Sequence, residues 1–194
     1  MATAYAVTFD ATRPQKFERP QVFLRIIVYF VLSFVTSVAY LGLPVIAAIW
    51  ISQKGSEKFI AEDGPRIKGW LRWIVALYAY LYMLTDRFPS SSAEEDIKFD
   101  LQPGGAPTVG SALLRLIYSI PSALVAGALV WVASVIWLIA SVMVLMQETY
   151  PDGLYDFQRG AVRWQARLLA YHASLVGEYH PFAFDTGPEP AVAA

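Results

Sequence analysis

Two sets of cations and one histidine are the side chains here whose type and spacing could do chemistry. Lys68 and Arg72 stand four residues apart, and so do Arg159, Arg163 and Arg167. On a helix that spacing gathers charge on one face, where it could bind lipid phosphates or an acidic partner surface. The same residues could instead only anchor a helix, with long stems in the apolar layer and charged heads among the headgroups. His172 has the donor chemistry for a tetrapyrrole such as haem or chlorophyll. A surface histidine explains it as well, so no cofactor is expected. His180 is the only other histidine. Carboxylates cluster at Glu62-Asp63 and Glu94-Glu95-Asp96, a grouping that acid–base catalysis uses. Their serine, glycine and proline neighbours point to solvated linkers. Asp152 and Asp156 suit a helix N-terminus. The absence of cysteine excludes thiolate nucleophiles, disulfides and cysteine metal sites. No phosphate-binding glycine loop is present. A net charge of −1 without a basic tail excludes a nucleic-acid partner. The reading is non-enzymatic.

The elements that would position these residues occur twice. Val7-Thr8-Phe9-Asp10 returns as Ile97-Lys98-Phe99-Asp100, and Leu24-Arg25 as Leu114-Arg115. Further on, Lys68-Gly69 and Arg72-Trp73 return as Arg159-Gly160 and Arg163-Trp164, and Ala79-Tyr80 as Ala170-Tyr171. The offset is 90 residues at the front of the unit and 91 at the back. The spacing implies a tandem duplication: repeat 1 over 1–89, repeat 2 over 90–184, and a tail over 185–194.

Each unit opens on an alternating apolar segment expected to be a short strand. Such a strand is marginal alone, so the two copies are expected to pair with each other. A long apolar segment follows, about 22–52 and about 112–147. No charge occurs from Ile26 to Gln53 or from Leu116 to Gln147, although 16% of the chain is charged. Uncharged runs of 28 and 32 residues read as membrane segments. As straight helices they would extend ~42 and ~48 Å against a hydrocarbon core of ~30 Å. Each is therefore a helical hairpin or a long kinked span. Gly42-Leu43-Pro44 supplies a turn or kink in the first copy, Pro121 and Gly127 in the second. An amphipathic helix ends each unit, about 65–84 and about 151–176. Trp70, Trp73, Trp164 and Tyr171 are its expected interfacial anchors. A helix packed within a bundle is the alternative.

The expected fold is thus a mostly α integral membrane protein of two repeats. Cations flank both ends of each apolar segment, Arg25 before and Lys54, Lys58 and Arg66 after in the first copy. That favours both ends on the cytoplasmic side of the inner membrane. Two hairpins and four membrane helices meet this condition, with termini cytoplasmic. In the rival arrangement each copy has one long span and the third helix crosses back, over Trp73 to Thr85 in the first copy. The early polar residues do not form a cleaved signal peptide.

The second copy carries Thr149-Tyr150-Pro151-Asp152-Gly153-Leu154-Tyr155-Asp156-Phe157 and then Arg163-Trp164. With Tyr5-Ala6-Val7-Thr8-Phe9 these residues resemble a family of small bacterial membrane proteins catalogued as a domain of unknown function. The first copy departs from the turn motif, reading Gly55-Ser56-Glu57-Lys58-Phe59. The resemblance implies no catalytic residues. The expected role is an accessory or scaffolding subunit of a larger membrane complex, with lipids and other membrane subunits as partners. A stand-alone lipid-binding or membrane-shaping protein is the alternative, with a transport component behind it.

Overall fold

The computed structural model describes residues 5–89, 96–179 and 182–187, so Glu94, Glu95, His180 and the last seven residues lie outside it. Val7–Ala11 forms β1 and Ile97–Leu101 forms β2, and the two pair antiparallel. Phe9 faces Phe99, Val7 faces Leu101 and Ala11 faces Ile97. The expected pairing of the two segments is what the chain does. Period-two alternation turns Val7, Phe9, Ala11, Ile97, Phe99 and Leu101 to one buried face. Thr8, Asp10, Lys98 and Asp100 are left on the other face.

The first apolar segment is a single helix, α1, Arg19–Lys54. Its 36 residues extend about 54 Å. Short α2 (Ser56–Lys58) and a π-helical turn (Phe59–Asp63) lead into α3, Gly64–Leu81. In the second half α4 (Val109–Tyr118) starts on a reciprocal cap between Thr108 and Ser111. It passes through Ser119 into α5 (Ile120–Gln147) and, after Glu148, into α6 (Asp152–His172).

Hairpins are therefore not formed, and four membrane helices are replaced by one long apolar run per half. The reason lies at the prolines. Pro121 stands in the first turn of α5, where a missing N–H costs nothing. Pro44 lies inside α1 and leaves the Tyr40 carbonyl without its helical donor. His172 Nδ1 donates to that carbonyl at 3.1 Å, and α1 continues. The fold-back is made instead by α3 and α6.

Three layers result. The strands pack chiefly on α3 and α6, and those helices rest on α1 and α5. The rows along α6 show this division. Arg163 Nε donates to the Phe9 carbonyl of β1 at 3.1 Å, whereas Gln158 Nε2 donates to the Ala133 carbonyl of α5 at 2.8 Å. The long helices run antiparallel. Arg19 at the start of α1 reaches the Met146 carbonyl at the end of α5, while Tyr40 lies by Ala123 near the start of α5.

Two helical stretches, Ser37–Lys54 and Ile120–Gln147, are long and apolar enough to cross a membrane, and most of each is left unburied by the chain. By contrast α6 is covered almost all round, so it does not lie as an interfacial helix with one open face.

Candidate functional site

The most heavily built part of the molecule is the junction where each fold-back helix ends against the long helix preceding it. Helix α3 stops with Met83 in the left-handed region, φ 61°. Leu84 N–H returns to the Ala79 carbonyl at 2.8 Å and Met83 N–H to the Tyr80 carbonyl at 3.1 Å, the paired bonds of a Schellman ending. Helix α6 stops the same way 91 residues later. Ser174 has φ 58°, and Leu175 and Ser174 return to Ala170 and Tyr171.

A buried arginine then grips each ending. Arg25, 1% exposed, donates from Nε to the Tyr80 carbonyl at 2.7 Å and from Nη2 to the Thr85 carbonyl at 2.8 Å. Arg115 Nη1 donates to the carbonyls of Tyr171 at 2.6 Å and Val176 at 2.7 Å. Each guanidinium also lies over the ring of its tyrosine, 4.9 Å from the Tyr80 centroid and 4.4 Å from that of Tyr171. A helix C-terminus carries partial negative charge, which suits a cation. Asp86 adds a full charge to the first clasp, 2.5 Å from Arg25. The corresponding position in the second is Gly177, so Arg115 is held by carbonyls and a ring.

The cations singled out by spacing are placed elsewhere. Arg159, Arg163 and Arg167 do share one row of α6, but that row is turned inward instead of forming an open basic face. Arg159 meets Asp156 at 2.7 Å and the Thr186 carbonyl, and Arg163 meets the carbonyls of Phe9 and Asp185. Arg167 meets Asp185 at 3.1 Å. The 182–187 segment and β1 cover the row. Lys68 pairs with Asp100 of β2, and Arg72 is half-buried. Trp70 and Trp73 are exposed as interfacial anchors would be, whereas Trp164 and Tyr171 are buried.

His172 is fully buried, not on the surface. Its ring stacks on Tyr40 with centroids 4.3 Å apart, and burial holds its pKa below the ordinary histidine value. The acidic clusters also differ from open linkers: Asp63 is buried against Lys54 at 3.0 Å, and Asp96 meets Arg87 at 3.2 Å. Burial raises the hydroxyl pKa of Tyr155, which donates to the Leu84 carbonyl at 3.0 Å. Lys16 holds Glu148 below the usual carboxylate range. A cavity of about 200 Å³ lies between α1, α3, α5 and α6, lined by Tyr40, Tyr78, Gly127 and Gln165 among others. Among the described residues no group of three or more histidine and acidic side chains could hold a metal ion.

The second clasp and the α6 row fall within one stretch that can be compared with known families. Residues 110–185 match the family described as domain of unknown function DUF4389. The DUF4389 match runs from Gly110 in α4 to Asp185 against Arg167, so it takes in Arg115 and its partners. No curated protein and no solved structure matches the chain.

In the sequence Arg25 and Arg115 read only as charges flanking a membrane segment. The usable signal was the joint recurrence of Arg25 with Tyr80 and Arg115 with Tyr171.

Proposed function

We propose that this chain is a duplicated, non-enzymatic protein of the inner membrane that serves as an accessory or scaffolding subunit of a larger membrane complex. The observation carrying this reading is the outward surface of the long helices. Phe30, Phe34, Leu124 and Trp131 are each more than 70% exposed, and Leu138 and Met146 more than 60%. A soluble monomer rarely shows so large an apolar surface, and lipid or partner helices would cover it. Duplication is supported by the strand register, in which exchanging the copies by 90 residues turns the pair Val7–Leu101 into the pair Ile97–Ala11. The two Schellman endings and their arginines, related by offsets of 90 and 91, support it further.

In this reading the clasps make a rigid body, and the apolar layer supplies lateral contacts. Arg66 over Trp50 and Trp70, with Trp73 on the same face of α3, is the surface for headgroups or a partner, while Lys68 and Arg72 lie on the opposite face, where Lys68 meets β2. The sheet lies on the cytoplasmic side. Mild detergent extraction from the native membrane, followed by sizing and mass spectrometry, tests the role. Stoichiometric co-migration with defined subunits is expected. A lone 21.6 kDa chain would sink the scaffold role and favour the stand-alone lipid-binding reading.

A further inference from the structure

The geometry points to a one-leaflet seat: α1 and α4–α5 lie in the plane of the membrane as an apolar sole in contact with acyl chains, and neither crosses it. This inference rests on the membrane reading above and adds the orientation.

Three observations carry it. The first is length. Thirty-six residues in α1 extend about 54 Å, far beyond a hydrocarbon core of ~30 Å. Upright spans would leave apolar residues outside the bilayer at both ends, whereas in-plane helices have no such conflict.

The second is symmetry. The strand register has its centre between Phe9 and Phe99, and the two-fold relating antiparallel strands stands perpendicular to the sheet. It passes through the α3/α6 layer to the antiparallel pair of long helices. Were those helices upright, the axis would lie in the midplane of the bilayer. The outer face of the sheet, with Asp10, Lys98 and Asp100, would then stand at mid-bilayer depth. Charges there are expensive and are found facing protein or water. With the helices in plane, the axis becomes the membrane normal. The sheet then faces water and α3 and α6 lie beneath it.

The third is the rim. Between Arg19 and Lys54 the single ionisable side chain with charge is Arg25, which is buried in its clasp. Lys16 and Arg19 stand at one end of α1, Lys54, Lys58 and Arg66 at the other. Arg66 lies 5.1 Å from the Trp70 ring centroid and 5.8 Å from that of Trp50. Cations at both ends of an apolar helix, with tryptophans at one of them, fit the headgroup level at both ends. An upright helix would place them on opposite sides of the bilayer.

The cysteine-free chain makes the test direct. Single substitutions Phe23→Cys, Phe34→Cys, Leu124→Cys and Met146→Cys carry a fluorophore, all at exposed positions. The full chain is reconstituted in vesicles of phosphatidylethanolamine and phosphatidylglycerol containing shallow- or deep-quencher lipids, with helical content checked by circular dichroism. In-plane helices give stronger quenching by the shallow lipid at all four sites. A ratio that inverts at Phe34 and Leu124 but not at Phe23 and Met146 would overturn the proposal in favour of spans. Release of the protein by alkaline carbonate would instead refute the membrane reading on which it rests.

Discussion

Arg25 in the first half and Arg115 in the second reach corresponding pairs of carbonyls at the ends of α3 and α6, yet only Arg25 meets a carboxylate. Both are buried, and both lie over a tyrosine. What recurs is therefore the grip on the helix ending, through carbonyls with a spare lone pair and a ring face. The full negative charge is an addition in one half. The second half shows that a helix C-terminus and an aromatic ring suffice to seat a guanidinium in a largely dry place. A buried ion pair is costly to break because the survivor is left uncompensated, so the two clasps should fail unequally.

The largest effect is expected for Arg25→Ala. It frees the Tyr80 and Thr85 carbonyls and leaves Asp86 without its cation, a loss of about 3–5 kcal/mol. Arg115→Ala frees two carbonyls but strands no charge, which corresponds to about 1.5–3 kcal/mol. Chemical unfolding in detergent, read by near-ultraviolet circular dichroism, compares the two. Equal losses would show that Asp86 adds nothing and that the two clasps are energetically alike. Adding Asp86→Ala to the first variant should recover part of its loss, because the stranded carboxylate is then removed.

His172 has no counterpart in the first half, where Leu81 stands at that position. It serves the carbonyl that Pro44 frees, so His172→Leu should cost about 1–3 kcal/mol by orphaning Tyr40 O. In a Pro44→Ala background, where residue 44 can donate within α1, the cost should shrink. A cycle with no coupling between the two sites would refute this account. The pH dependence has a definite sign. Burial depresses the folded pKa of His172, so its contribution is complete above the unfolded value of ~6.5 and is lost as pH falls through the lower folded value. Acid sensitivity in that window should disappear in His172→Leu.

Much of the fold was legible because period and spacing report backbone behaviour. Alternation in Val7–Ala11 and Ile97–Leu101 marked the strands, and their recurrence marked the partners. The expected helices over 65–84 and 151–176 correspond to α3 and α6. Tertiary cover was not legible. The four-residue spacing placed Arg159, Arg163 and Arg167 on one row correctly, but nothing local says that β1 and Asp185 lie over that row. Pro44 looked like a turn because its rescuer, His172, is 128 residues away. The clasps went unread for the same reason: an arginine at the head of an apolar run looks like a flanking charge until the helix ending it grips is brought alongside.

The smallest expected effect sharpens the comparison most. Gly177→Asp would give the second clasp the carboxylate it lacks, at the position corresponding to Asp86. The backbone permits it. Gly177 is not among the residues with positive φ, and an added Cβ would meet the Cα of Gly105 at 3.8 Å, an ordinary contact. Gly177 is exposed, so solvent screens the new charge and the gain should be no more than about 1 kcal/mol. The decisive quantity is the coupling to Arg115. The gain should vanish when Gly177→Asp is placed on Arg115→Ala, and it should weaken at high salt. A gain that survives removal of Arg115 would come from elsewhere on the helix ending. A loss in both backgrounds would mean that the second clasp works because it is uncharged around its cation, and that the acid in the first half serves chiefly the Glu18 N–H it also accepts, at 2.7 Å.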